Sequence, residues 1–275
     1  MSYVNVQGHR LPFFLRYMVD LFNYRHLCWN LVGSDLRSRF RRTRLGILWA
    51  LLQPLGFALV IAAVWGGLNR SASYWDFAVY VFSGHIVFEM FGNTLIAGQD
   101  SLLNAGGYLR QARIPFLVFQ VRPVLTGAVV FSFAQIGLLG MVAALGMMPA
   151  LGPQLFLLPA FVGLYVLFLI PLAVIMSSVG LNFRDLKHIS GLFVQAMFLL
   201  SPVMLPREVL AQPPLNFMEY VNPLVPLLDM FRDPILKGAF WDQQDVIVVS
   251  LWIAGLWVLA IITAVSFGRR LVYAI

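Results

Sequence analysis

Glu89 is the one acidic residue well inside an apolar run of this chain, and His85 and Asn93 stand four positions to either side of it. On a helix that spacing stacks the three side chains in one stripe. A carboxylate, an imidazole and an amide so placed offer acceptors and donors along a polar path, and the alternative is a structural pair between Glu89 and His85 or a residue on a neighbouring helix. A carboxylate at the centre of a membrane helix costs roughly 2.5–3.5 kcal/mol, so on either reading it faces protein or water. Other chemistry is thin. The four histidines, His9, His26, His85 and His188, are scattered, and the single cysteine is Cys28. No spacing suits a metal, and Cys28 is expected to be inert at the headgroup boundary. His188 with Asp185 is the nearest thing to a catalytic pair, and two residues in a short loop do not define a site. Neither lysine, Lys187 or Lys237, sits in G-x-x-x-x-G-K-[ST], so the chain has no P-loop of its own. No catalytic residue and no metal ligand is assigned.

The elements that must position these residues are membrane helices. The 275 residues are 60% hydrophobic and only 11% charged, with a mean hydropathy of +0.81, against about 25% charged residues in soluble domains. Six runs approach the roughly 20 apolar residues that span a bilayer: 45–68, 77–97, 124–148, 154–176, 189–206 and 246–267. The fifth is short and ends at SPVMLP. No formal charge occurs in residues 123–183, which Gly152-Pro153 divides into two runs. The expected fold is therefore an all-α integral membrane protein of six transmembrane helices in one domain, 1–275, with a cytoplasmic interfacial segment (1–44) before the membrane domain (45–275). The first long apolar run begins after residue 44, so no signal peptide is expected.

Charge assigns the sides. Six spans place fifteen of the nineteen Lys and Arg on the side of both termini. These lie in the N-terminal segment, around 110–122, at Arg184 and Lys187, and at Arg269 and Arg270. The positive-inside rule puts that side in the cytoplasm. The formal net charge of +7 is thus a topology signal, and nucleic acid is not an expected partner. Residues 9–34 are too polar to span. Arg16, Asp20, Asn23 and Asn30 share one stripe, and Phe14, Met18, Leu21 and Trp29 lie near the opposite face, as in an amphipathic helix on the inner membrane surface. The segment 207–245 is broken by prolines yet apolar between them, and is expected to form short re-entrant helices at an outer mouth.

The basic segment DLRSRFRRTRLGILWALLQPL (35–55) resembles the leading segment of ABC-2 type permeases. It is most similar to the branch exporting polysaccharides and polyol phosphates, including O-antigen (Wzm-type), capsule and teichoic-acid exporters. In that family R-x-x-L-G-x-L-W leads into the first span, with a proline beyond. Arg42, Leu45, Gly46, Leu48, Trp49 and Pro54 stand at those positions. NAGGYLRQARIP (104–115), NFRDLKHI (182–189), SPVMLP (201–206) and NPLVPLLDMFRDPILKG (222–238) are similar to four further family segments in the same order. At Arg110-Gln111-Ala112-Arg113 the chain departs from the lysine-rich, more aromatic run of the family.

The resemblance implies an exporter subunit, not an enzyme, moving lipid-linked polysaccharide across a bacterial inner membrane, with both termini cytoplasmic. It implies two copies of this chain and two copies of a separate P-loop ATPase that binds ATP and Mg; this chain needs no cofactor itself. Arg41, Arg42, Arg44 and Trp49 would set the first span at the membrane surface. The loop 98–114 would be the coupling helix in the ATPase groove, braced by the N-terminal helix, with Asn104, Arg110, Arg113, Arg184 and Asp185 as coupling candidates. Arg184-Asp185 alternatively pair and cap the fifth helix. Candidate channel residues are Phe57, Trp65, Tyr80, His85, Phe88, Glu89, Phe91 and Asn93: aromatic rings stack on sugar C–H faces, and the polar stripe bonds hydroxyls. The bland alternative for these aromatics is a belt or lipid-facing position. Pro202, Asn222, Asp229 and Arg232 are candidates for an outer gate; for Asp229, Arg232 and Asp233 the alternative is an exposed salt-bridged turn worth little. The competing functions are export of a drug or another lipid on the same fold, and a membrane enzyme acting on lipid-linked sugar.

Overall fold

A computed structural model describes residues 19, 22–41, 43–68, 73–112, 114–147, 152–183, 185–207 and 212–274. Helices α1 (Arg25–Phe40), α2 (Trp49–Leu68), α3 (Tyr74–Asp100), α4 (Gly106–Gln111) and α5 (Phe116–Ala144) occupy the first half. Helices α6 (Leu157–Gly180), α7 (Leu186–Leu199), α8 (Met218–Val221), α9 (Leu224–Arg232) and α10 (Gln243–Ala274) follow. Among the described residues there is no strand. Among the described residues, five helices are long and apolar enough to cross a membrane: Gly46–Trp65, Tyr74–Asp100, Phe116–Ala144, Pro153–Gly180 and Gln243–Ser266. The expected fifth span is the exception. Its helix, α7, has 14 residues and ends before the prolines of SPVMLP, which cannot donate to a helical ladder.

Helix α3 is the hub, and α2, α5, α6, α7 and α9 pack around it. It is apolar nearly all round, as a buried helix must be: Val81, Phe82, Val87 and Phe88 are all in the core. The rings of Phe131, Phe161, Tyr165 and Phe231 join α5, α6 and α9 at centroid distances of 5.1 to 6.2 Å. The Tyr165 hydroxyl donates to the Val87 carbonyl at 2.7 Å, tying α6 to the hub. In contrast, α10 turns Leu251, Val258, Ile262 and Val265 outward, as a helix facing acyl chains does.

Three proline positions interrupt the spans: Pro54 in α2, Pro123 in α5 and Pro171 in α6. Each removes one ladder donor and frees the carbonyl four residues earlier. For Pro171 that carbonyl belongs to Leu167, and it accepts from Trp257 Nε1 of α10 at 3.1 Å. The break in one helix thereby becomes the attachment point of another.

The first span opens on a turn that requires glycine. Gly46 has φ of 53° and begins the short 3-10 turn Gly46–Leu48 that leads into α2. A side chain at that φ is strained, which gives a physical reason for Leu-Gly at this point. Exposed Arg41 and Arg44 precede it, and Trp49, 44% exposed, starts the helix. Arg42 lies outside the described residues.

Of the expected amphipathic helix, residues 9–18, 20 and 21 lie outside the described residues. The described part continues past residue 34 to Phe40. Its buried face is Cys28, Leu31 and Val32, while Trp29 on the other side is 55% exposed. Cys28 and Leu31 pack with Leu102, Ala105, Val118 and Phe119. This joins α1 to the start of α5 and to the loop before α4. Burial raises the Cys28 thiol above its usual pKa, against the pull of Arg122.

Candidate functional site

Helix α1 runs beside α5 in the same direction. Cys28 lies next to Val118, and Asp35 reaches Arg122 and Thr126. Arg122 sits inside an apolar helix and is balanced by a two-pronged bond: its Nε donates to Asp35 Oδ2 at 2.6 Å and its Nη2 to Oδ1. Such fork-shaped pairs are strong and directional. One turn further along α1, Arg39 approaches Glu89 of α3 at 3.7 Å. Asn93 Nδ2 donates to the same carboxylate at a long 3.5 Å.

Between these three helices is a cleft of about 330 Å³. Asp35, Arg39, Glu89, Asn93 and Thr126 form its polar side, and Met90, Val130 and Phe131 are among its apolar walls. Its lining sets hydrogen-bond donors and acceptors beside hydrocarbon.

The expected stripe is divided. Glu89 and Asn93 line the cleft, but His85 does not. Its ring stacks on Phe57 at 4.2 Å, with Phe198 edge-on at 6.4 Å. Phe88 packs on Phe198 at 5.1 Å, and both Phe88 and Phe91 are buried in the single chain. Trp65 is exposed on α2. Tyr80 belongs to a different cluster, described next.

Arg232 of α9 is 3% exposed and lies at the centre of that cluster. Its Nη1 donates to the Pro202 carbonyl at 2.6 Å and its Nε to Ser83 Oγ at 3.1 Å. Its Nη2 donates to the carbonyls of Tyr80 at 3.0 Å and Val203 at 3.2 Å. The guanidinium also stands 3.7 Å over the Tyr80 ring. Ser201-Pro202-Val203 has no helical ladder, and its carbonyls need donors. Asn222 supplies the second anchor. Its Nδ2 donates to Leu200 O at 3.0 Å and Ser201 Oγ at 2.8 Å, while its Oδ1 accepts from Leu224 N at the head of α9. Pro202, Asn222 and Arg232 are thus brought together and buried, and an exposed turn does not describe Arg232. Asp229 binds Arg207 Nη1 at 2.7 Å, and Arg207 Nε also donates to Glu219 at 2.9 Å. Burial raises the Asp229 pKa, opposed by those contacts with Arg207.

At the opposite end of α3, Lys187 pairs with Asp100 at 3.1 Å, and Ser190 Oγ donates to Gln99 at 3.1 Å. Asp185 holds the N-cap position of α7 without a side-chain cap bond. Its backbone carbonyl accepts from His188 N at 3.1 Å. Asn104 lies in the turn before α4, and Arg110 in its last turn. Arg113 and Arg184 lie outside the described residues.

Sequence reasoning used Arg39 and Arg122 only for topology and gave Asp35 no role. Two signals pointed further. Asp35 and Arg39 are four apart, hence on one helix face. Arg122 is followed directly by Pro123 and the long uncharged stretch, where an ionisable residue calls for a partner. Nothing local marked Tyr80 and Ser83 as partners of Arg232, 152 and 149 positions away.

The five spanning helices and their buried charged clusters define a multi-pass membrane protein. Residues 26–236 match the family described as ABC-2 type transporter, and the chain belongs to that family. It is 26% identical over 249 residues, 87% of this chain and 94% of the other, to the O-antigen export system permease protein RfbA of Myxococcus xanthus. A protein of the same name from Klebsiella pneumoniae is 21% identical over 211 residues, 76% of this chain and 79% of the other. The polysialic acid transport protein KpsM of Escherichia coli is 23% identical over 209 residues, 74% and 79% of the two chains.

Proposed function

We propose that this chain is the membrane permease subunit of an ATP-driven exporter that moves lipid-linked polysaccharide across a bacterial inner membrane. The observation that carries the reading is the alignment, over most of both chains, with relatives named for export of O-antigen and transport of polysialic acid. ATP and Mg would be handled by a separate P-loop ATPase, in two copies beneath two copies of this chain. The loop and helix at 98–114 would be the contact with that ATPase, with Asn104, Arg110, Arg113, Arg184 and Asp185 nearby.

A sixth crossing completes the topology in this reading. From the Lys187–Asp100 pair, α7 and the turn after it follow α3 as far as Tyr80, whose hydroxyl shares its one proton between the carbonyls of Pro202 and Leu205, each 3.2 Å away. Those twenty residues of α3 rise about 30 Å, the thickness of the hydrocarbon core. With that crossing both termini are cytoplasmic, and α9 re-enters from the outer side. Phe57, Trp65, Glu89 and Asn93 are the residues through which the cargo would be held or guided, and the Arg232 cluster would shape the outer gate.

The test is deletion in the native host and tracing of the surface polysaccharide. Loss of surface polymer with accumulation of lipid-linked glycan on the cytoplasmic side supports the reading. Unchanged surface polymer overturns the cargo, and drug or other lipid export takes its place.

A further inference from the structure

Helix α1 carries two ion pairs of unequal quality on one face. Asp35 is held by both prongs of Arg122 and touched by Thr126 Oγ1 at 3.4 Å. Arg39, one turn on, meets Glu89 at 3.7 Å, with the arginine side chain 42% exposed. A bidentate pair fixes geometry, whereas a long, half-exposed pair is worth little by itself. The strong pair therefore acts as a pivot and the weak pair as a releasable tip. The cleft lies directly beneath the tip, because Arg39 and Glu89 both line it.

The other end of the helix meets a different part of the chain. Cys28 and Leu31 are buried against Leu102 and Ala105, with Leu109 and Ile114 packed on the same cluster. That is the segment facing the ATPase in the reading above, on which this inference rests. Helix α1 is 16 residues long, about 24 Å, so it connects that segment rigidly to a carboxylate within α3. Packed cores shift between discrete arrangements and do not deform continuously. A displacement of residues 102–114 must then either break the Cys28–Leu102 packing or swing the Arg39 end.

We propose that α1 is a lever and that Arg39–Glu89 is its latch. With the latch closed the polar side of the cleft is occupied by its own ion pair. With the latch open, Glu89 and Asn93 are offered to a hydroxyl-bearing group of the cargo. Arg39 is a positioning residue in this scheme: it acts by holding or releasing Glu89.

The test uses the complex with its native ATPase. Arg39→Cys and Glu89→Cys are combined in a Cys28→Ala background and treated with a short, reducible bis-thiol linker. The cross-link is expected without nucleotide and falls several-fold when the complex is trapped with ATP and vanadate. Locking is expected to slow ATP hydrolysis by the complex several-fold, and reduction restores the rate of the same unlinked variant. A cross-link yield that does not respond to nucleotide overturns the lever, as does an unchanged ATPase rate in the locked complex or failure to cross-link in any state. If the Glu89 variant does not accumulate in membranes, Arg39→Cys with Asn93→Cys gives a second lock that keeps the carboxylate. The cross-link readout does not depend on cargo. A nucleotide response together with unchanged surface polysaccharide on deletion would reject the cargo and keep the latch.

Discussion

Arg232 and Tyr80 hold the same stretch of chain from two sides. The guanidinium lies 3.7 Å over the tyrosine ring, and both side chains donate to the Pro202 carbonyl, at 2.6 Å and 3.2 Å. With Asn222 on Ser201, the segments SPVMLP and NPLVPLLDMFRDP become one interlock. Two separate stretches similar to family segments are in this way joined with α3 in a single structural device. It replaces the helical ladder that the prolines remove, and it places α9 against the hub.

Arg232→Ala should leave the Val203 carbonyl without its side-chain donor, the Pro202 carbonyl with Tyr80 alone and the Tyr80 carbonyl with Ser83 alone among side chains, at a cost of about 3 kcal/mol. Arg232→Lys should rescue only part, because an ammonium lacks the planar fork and stacks poorly. Thermal unfolding of the detergent-solubilised protein should rank wild type above Lys above Ala. Equal stability of all three would show that the interlock does not bear load.

Trp257→Phe removes the donor to the Leu167 carbonyl and should destabilise by about 1 kcal/mol. Pro171→Ala restores the missing backbone N–H. In that background the Trp257→Phe penalty should shrink, and a double-mutant cycle reads the difference. Purely additive effects would separate the indole from the proline break.

Glu89→Gln keeps the shape of the side chain and removes its charge. If the cleft handles cargo, export should fall while membrane insertion and amount of protein stay normal. A loss confined to the amount of folded protein would make Glu89 a structural partner of Arg39.

Charge reversal at Arg110 and Arg113 should uncouple ATP hydrolysis from export and leave insertion intact. The two rates measured side by side in the complex decide it. Normal export in the variant would remove this segment from the ATPase contact.

Cys28 is 2% exposed, and burial raises its pKa. The thiolate is the reactive form, so labelling by a maleimide at neutral pH should be slow in the native protein. It should become rapid on denaturation. Rapid native labelling would show that α1 leaves the Leu102 and Val118 surface in solution.

Much of this molecule is legible in single segments. Five of six expected spans correspond to long apolar helices, since crossing length and hydropathy are local properties of a run. Gly46 and Pro54 stand in the leading motif, and the structure makes the first a left-handed turn and the second a proline inside α2. The fifth run was misjudged in its helical length because Ser201-Pro202 ends the helix, and Arg232, Asn222 and Tyr80 make the rest of that run tolerable. The stripe His85, Glu89, Asn93 was correctly periodic, yet its members have different neighbours. Phe57 and Phe198 cover His85, while Glu89 meets Arg39 of α1 and Asn93 bonds Glu89.

The sequence by itself determined the class of protein, the approximate helical runs, the uneven distribution of basic residues and the order of the family-like segments. Those follow from solvent preference and backbone chemistry, which each residue carries with it. Only the tertiary structure decided which charges meet. Arg122 finds Asp35, Arg39 finds Glu89, and Arg232, which bonds no carboxylate among the described residues, finds a ring, a hydroxyl and three carbonyls. Such choices depend on the register in which helices pack, and register is set by the whole core at once.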